Sequence, residues 1–278
     1  MVDSNTKWFG VIGNPIEHSL SPLIHNSAFE KLKVNAAYLA FKVEDVKNAI
    51  NAIKEFGISG YSVTIPHKVT IMQYLDEIDS LAKKVGAVNT VLVKNEKLIG
   101  YNTDVMGAIN PLKEITPLKG KNVFVIGAGG AARAIVLGLV NEHAKVTIFN
   151  RDFSHAQKLA KEFSVSSKEI GVLSALAEDC DILINATPVG MYPKVNELPV
   201  DEGVIRKKMI VFDIVYNPLE TKLIRVAKKK GCKVVPGVEM FLNQAYAQFE
   251  MFTGKKAPVE IMRKVVLKEL KKRQKNQS

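Results

Sequence analysis

Gly127-Ala128-Gly129-Gly130-Ala131-Ala132 matches G-x-G-x-x-G/A, a pattern that small-residue runs often meet by accident unless the surrounding elements agree. Here the run follows the apolar strand Val123 to Ile126 and opens a helix over Ala131 to Val140. In that frame its backbone N–H groups face a dinucleotide pyrophosphate at the positive end of the helix, and the glycines allow close approach. The alternative is a plain tight strand-to-helix turn. A carboxylate ending the next strand would accept the ribose hydroxyl of NAD, whereas an arginine there pairs with the 2′-phosphate of NADP. The position reads Asn150-Arg151-Asp152. Arg151 makes NADP the expected cofactor, and NAD stays open because Asp152 would repel a phosphate if it pointed inward.

A second cluster lies upstream. Val63-Thr64-Ile65-Pro66-His67-Lys68 ends an apolar run, and Pro66 stops the ladder where polar groups emerge at the C-terminal edge of a strand. Open α/β sheets place their ligands at that edge. Lys68 is either a group held at such a site or one more solvated lysine. Ser19-Leu20-Ser21-Pro22 reads most simply as a helix start, with Ser21 as N-cap and Pro22 at the first helical position. Asp104, before the helical stretch from Val105, also reads as an N-cap.

The elements that must position these residues follow a βαβα rhythm: strand Trp8 to Ile12, helix Pro22 to Lys33, strand Ala37 to Phe41, helix Val46 to Phe56, strand Gly60 to Ile65. Two helical segments ending near Val85 precede a hairpin, Thr90 to Val93 and Leu98 to Tyr101, turned by Asn95-Glu96. The hairpin implies one antiparallel strand in an otherwise parallel sheet. At Pro111 to Gly120 the pattern breaks, and a new rhythm runs through Asn122 to Ile126, Lys145 to Asn150, Ile182 to Asn185, Ile210 to Ile214 and Lys233 to Val235. The expected fold is therefore α/β with two domains. Residues 1–110 form a mixed α/β substrate domain with one antiparallel strand, completed by helices over 240–278 that return to it. Residues 111–239 form a Rossmann-type doubly wound domain for the dinucleotide.

The 278 residues, 47% hydrophobic and 24% charged, suffice for a full core. Met1 to Lys7 are polar, nothing resembles a secretory signal, and no run approaches the length of a membrane helix. The protein is expected in the cytoplasm, without a membrane partner. Cys180 and Cys232 lack CxxC spacing and a nearby His cluster, so buried free thiols are expected and no metal site. The net charge of +11 could signal nucleic acid. The tail, however, spaces Ile261, Val265, Val266 and Leu270 like one helical face with Lys and Arg elsewhere, and lacks interleaved aromatics, so a solvated helix face is expected and no nucleic-acid partner.

Ser19-Leu20-Ser21-Pro22, Val63 to Lys68, Gly86-Ala87-Val88-Asn89-Thr90 and Gly100-Tyr101-Asn102-Thr103-Asp104 occur in this order. They are followed by Gly127 to Ala134, Asn185-Ala186-Thr187-Pro188-Val189-Gly190-Met191, Asp213 to Pro218 with Thr221, and Gly237 to Ala245. Over essentially the whole chain this succession resembles shikimate dehydrogenase, of the shikimate/quinate dehydrogenase family. The resemblance implies reversible NADPH-dependent reduction of 3-dehydroshikimate to shikimate in aromatic amino acid biosynthesis, by a monomer or homodimer. It implies that Ser19, Ser21, Thr64, Lys68, Asn89, Asp104, Tyr216 and Gln244 surround the substrate. It also implies that Gly127, Ala128, Gly129, Gly130, Ala131, Asn150, Arg151, Ile214, Gly237 and Met240 line the cofactor, with Asp152 beside them. Lys68 and Asp104 are then the catalytic pair, the lysine as proton donor, with no metal and no covalent nucleophile. Asp152 departs from the small hydroxyl residue that NADP-using members carry after the arginine. A quinate/shikimate dehydrogenase using NAD is the nearest rival, and a dinucleotide-sensing regulator without activity is a rival of another class.

Overall fold

Short apolar runs alternating with amphipathic helices build two open sheets in the computed structural model, which describes residues 3–275. Residues 1–2 and 276–278, at the ends of the expected stretches 1–110 and 240–278, lie outside the described residues. The chain divides into two compact units, Met1–Thr103 with Gln244–Glu269, and Asp104–Asn243 with Leu270–Ser278. Among the described residues no helix is long and apolar enough to cross a membrane.

The first unit begins β1 (Lys7–Gly13), α1 (Ser21–Lys31), β2 (Ala36–Lys42), α2 (Val46–Glu55), β3 (Gly60–Val63). It continues through a short 3-10 turn at Thr70–Tyr74 to β4 (Glu77–Ile78), α3 (Ser80–Val85), β5 (Thr90–Lys94) and β6 (Lys97–Tyr101). The strands order as β2-β1-β3-β5-β6-β4, and β5 is antiparallel to both β3 and β6. Asn95 and Glu96 turn the hairpin with φ of 49° and 63°, the pair of left-handed residues that a two-residue loop needs to match the strand twist. On one sheet face Phe9 meets Phe29 of α1, ring centroids 5.7 Å apart, and Phe252, 5.0 Å away. On the other, Ile12, Tyr61 and Val63 share a core with Val46, Ile50 and Ile53 of α2. Asn26 of α1 donates to Tyr38 O (2.8 Å) and accepts from Tyr38 N–H (2.9 Å), covering part of the edge strand β2 that would otherwise invite pairing.

The second unit opens with α4 (Asp104–Lys113), then β7 (Asn122–Ile126), α5 (Gly130–Asn141), β8 (Lys145–Asn150), α6 (Phe153–Phe163), β9 (Ser166–Glu169) and the single turn α7 (Leu173–Leu176). It goes on through β10 (Ile182–Asn185), β11 (Ile210–Asp213), α8 (Lys222–Lys229) and β12 (Lys233–Val235) to α9 (Gly237–Thr253) and α10 (Val259–Lys275), helices that cross the division between the units. All six strands are parallel, ordered β12-β11-β10-β7-β8-β9. This is the doubly wound order whose direction reverses between β7 and β10, where such sheets bind ligands.

Several local expectations need correction. Pro111 lies inside α4, not at a break; burial of Ala108, Ile109 and Leu112 around it outweighs the one backbone bond proline removes. Ser21 is the first residue of α1 and not its cap; Leu20 occupies the cap position without a side-chain bond, and the hydroxyl of Ser19 accepts from Ser21 N–H (3.2 Å). Asp104 is likewise the first helical residue of α4. Cys180 is buried but Cys232 is half-exposed, its thiol on Arg206 O (3.1 Å). The buried line of α10 runs through Met262, Val266 and Leu270, leaving Ile261 and Val265 half-buried at its margin.

Candidate active site

In the first unit the segments leaving β1 and β3 are laced together. Thr64 N–H donates to Ile12 O (3.0 Å) and Asn14 N–H to Ile65 O (2.9 Å). A Cβ on Gly13 would stand 2.4 Å from Thr64 Cγ2, so only glycine lets these segments approach. The turn carrying Lys68 is anchored at His67, whose N–H donates to Thr64 O (2.9 Å) and whose buried ring meets Val43 O at 2.8 Å. Lys68, half-buried, accepts from Val88 N–H on its carbonyl (2.8 Å). That bond sets it one residue from Asn89, whose carbonyl takes Val63 N–H (2.8 Å). Thr64, Lys68 and Asn89 are thus held by one sheet edge, with Ser19 and Ser21 on the segment leaving the neighbouring strand.

Asn89 is 2% exposed, and its side chain grips the start of the next segment. Its Oδ1 accepts from Thr103 N–H (2.8 Å) and Thr90 Oγ1 (2.8 Å), and its Nδ2 donates to Thr103 Oγ1 (2.9 Å). Asn102 Nδ2 donates to Ala87 O (2.9 Å). Gly86–Thr90 and Tyr101–Thr103 are therefore one hydrogen-bonded block, and Asp104, 3% exposed, is the next residue along the chain. Gln244 lies half-buried on α9.

In the second unit the glycine loop follows β7. Gly127 has φ +112°, and a Cβ there would stand 2.9 Å from Ala186 O, so glycine is needed for the fold itself. Gly129 differs: it caps α5 with no side-chain bond to the first helical N–H groups, and a Cβ on it would meet nothing within 4 Å. A glycine with no internal steric reason, beside an uncapped helix start of twelve residues, suits a phosphate approached by backbone. At the end of β8, Arg151 is exposed. Asp152 turns to its own helix, accepting from Ser154 N–H (3.0 Å) and Ser154 Oγ (2.6 Å) with His155 Nδ1 at 3.1 Å. These bonds, Ser154 foremost, hold its pKa below the usual carboxylate value. Asn150 Nδ2 donates to Asp152 O (2.9 Å).

After β11, Ile214 and Val215 crowd Gly237, whose added Cβ would sit 2.5 and 2.4 Å from their carbonyl oxygens. Glycine is thus required where α9 begins. Tyr216 stacks on Phe241 (4.7 Å, 27°), and burial pushes its phenol pKa up against the opposing charge of Arg273; Met240 is buried.

Sequence reasoning assigned no role to two buried polar groups. Asp213 accepts from Thr221 Oγ1 (2.5 Å), Asn185 Nδ2 (2.9 Å) and Val215 N–H (3.1 Å), while Asn185 Oδ1 takes both Thr187 N–H and Thr187 Oγ1. This cluster folds the loop that meets Gly127. Gln248 ties α9 to β3 and β5. A polar residue interrupting an apolar run was the only available signal for either.

Three family models cover most of the chain: shikimate dehydrogenase substrate binding domain over residues 11–91, shikimate/quinate 5-dehydrogenase over 111–227, and shikimate 5'-dehydrogenase C-terminal domain over 237–267. A shikimate dehydrogenase (NADP+) of Bacillus cereus is 45% identical across 94% of this chain and 98% of its own. A shikimate dehydrogenase crystallised with NADP+ superposes with a TM-score of 0.93 at 42% identity, covering 97% of this chain and 98% of its own. The enzyme of Thermus thermophilus in complex with NADP(H) and shikimate gives 0.88 at 33%, covering 95% and 99%. The likeness runs along nearly the full length of this chain and of each relative, and the chain belongs to the shikimate dehydrogenase family.

Proposed function

We propose that this protein catalyses the reversible, NADPH-dependent reduction of 3-dehydroshikimate to shikimate, in the cytoplasm, as a step of aromatic amino acid biosynthesis. The observation that carries the reading is the hydrogen-bonded edge holding Thr64, Lys68 and Asn89, together with relatives of the same family that act on shikimate with NADP.

The residues fit such a cofactor: an uncapped α5 start with Gly129 open to approach, and Arg151 exposed for the 2′-phosphate while Asp152 is spent on its own cap. Bound there, the nicotinamide supplies the hydride. The chain's own residues do the rest. As charge grows on the substrate's ketone oxygen, the Lys68 ammonium stabilises it and gives up a proton; in the oxidative direction the amine takes that proton back. Asp104 orients the ammonium and binds a ring hydroxyl. Ser19, Ser21, Thr64, Asn89, Tyr216 and Gln244 supply the neutral partners by which a polyhydroxylated ring is told from its analogues.

Lys68→Ala should lower kcat roughly a hundredfold or more with modest change in KM; near-normal turnover would remove Lys68 as proton donor. Initial rates with shikimate and quinate, each with NADP and NAD, test the substrate and cofactor assignments, and a quinate rate with NAD above the shikimate rate with NADP would overturn them.

A further inference from the structure

We infer that Gln248 is a positioning residue that braces Asn89, through its carbonyl and through Thr90, at the substrate site. The inference rests on Asn89 being a substrate-binding residue, as proposed above.

Gln248 is 1% exposed and its amide is engaged on every side. Oε1 accepts from Ser62 Oγ (2.8 Å), and Nε2 donates to Asn89 O (3.1 Å) and to Thr90 Oγ1 (2.9 Å). The orientation of this amide is dictated, because Asn89 O can only accept and a flipped Gln248 would set two acceptors against each other. The remaining protons are then assigned in turn. Thr90 Oγ1 receives one of the Gln248 protons, so its own single proton passes to Asn89 Oδ1 (2.8 Å). Asn89 Oδ1 also takes Thr103 N–H (2.8 Å) and Nδ2 donates to Thr103 Oγ1 (2.9 Å), so Thr103 sets the direction of the amide while Gln248 and Thr90 hold the residue in place. At the other end, Ser62 has given its proton to Gln248, so Tyr38 OH donates to Ser62 Oγ (2.6 Å). One directed chain therefore runs from Tyr38 through Ser62, Gln248 and Thr90 to Asn89, with Gln248 as the link between helix and sheet.

The test is a double-mutant cycle on KM for shikimate, in wild type and in Asn89→Ala. Gln248→Met keeps length and removes the donors. It should raise KM about tenfold in the wild-type background, leave KM for NADP unchanged, and have no further effect once Asn89 is alanine. An equal rise in both backgrounds would mean a merely structural role and would overturn the inference, as would an unchanged KM in Gln248→Met. Should Gln248→Met fail to fold, Thr90→Val cuts the chain one link on and must raise KM in the same non-additive way; no rise sinks the idea. Failure of the underlying reading is distinct: Asn89→Ala itself would then leave KM for shikimate unchanged.

Discussion

Replacing Asp213 by asparagine should erase a pH dependence of folding built into β11. The carboxyl is fully buried, and loss of water is the largest influence on it, raising its pKa from 3.8 to about 6 against the opposing bonds from Thr221, Val215 and Asn185. Between those two values the unfolded chain has released the proton while the folded chain retains it. The folded state then binds more protons, so this group's contribution to stability falls as pH rises through the window and is level above it. A shift of about two units, at 1.36 kcal/mol per unit, corresponds to roughly 3 kcal/mol. Asparagine does not titrate. It also accepts on only one oxygen, so the Thr221 proton loses its partner, at a pH-independent cost of about 1–3 kcal/mol.

Urea unfolding of both proteins between pH 4 and pH 7, at constant ionic strength, separates the two effects. The stability of Asp213→Asn minus that of wild type should climb by roughly 2–3 kcal/mol across the range. Taking the difference cancels groups of opposite sense such as Asp152, whose lowered pKa gives stability that is lost as pH falls. A flat difference would refute the reasoning, because it would mean that the three donors keep the carboxylate ionised despite its burial.

Gly129→Ala and Gly127→Ala should separate ligand approach from folding. The first adds a methyl to open space and should leave Tm nearly unchanged while raising KM for NADP at least tenfold; the second, at φ +112° against Ala186 O, should lower Tm as well, and equal Tm values would contradict the distinction. Arg151→Ala should cost NADP about a hundredfold in kcat/KM and leave NAD little affected. Asp152→Ala should lower Tm through loss of the α6 cap without moving the NADP-to-NAD ratio; a large gain for NADP would show that this carboxylate faces the nucleotide.

Both sheets were legible because their strands are apolar runs and their helices carry a buried stripe, as in α2 with Val46, Ile50 and Ile53. The glycine loop was legible because strand, glycines and helix succeed one another without interruption. The features that escaped the sequence lack such local signals. β9, Ser-Ser-Lys-Glu, is polar and mostly exposed at the sheet edge, and β4 has two residues, so neither shows an alternation to read. His25 looks like a surface residue of α1 but is fully buried and stacked on Tyr38 at 4.4 Å. Burial depresses its pKa to about 3, so it packs as a neutral ring. Gln248 and Ser62 meet across 186 residues, a separation over which no spacing rule operates.

The same contrast explains the cofactor residue that the sequence left ambiguous. A carboxylate beside Arg151 weighs against a phosphate only if it faces that phosphate, and its direction is decided by the helix it opens. Asp-Phe-Ser-His starts α6, and an N-cap aspartate is drawn toward the N–H groups two and three residues on. Ser154 supplies one such N–H and a hydroxyl, and His155 adds a ring nitrogen at 3.1 Å. Moving the carboxylate toward a nucleotide would break all three contacts and gain only repulsion from a phosphate. Asp152 is therefore claimed by the helix it starts, so its charge is compatible with the proposed contact between Arg151 and a 2′-phosphate at the adjacent position.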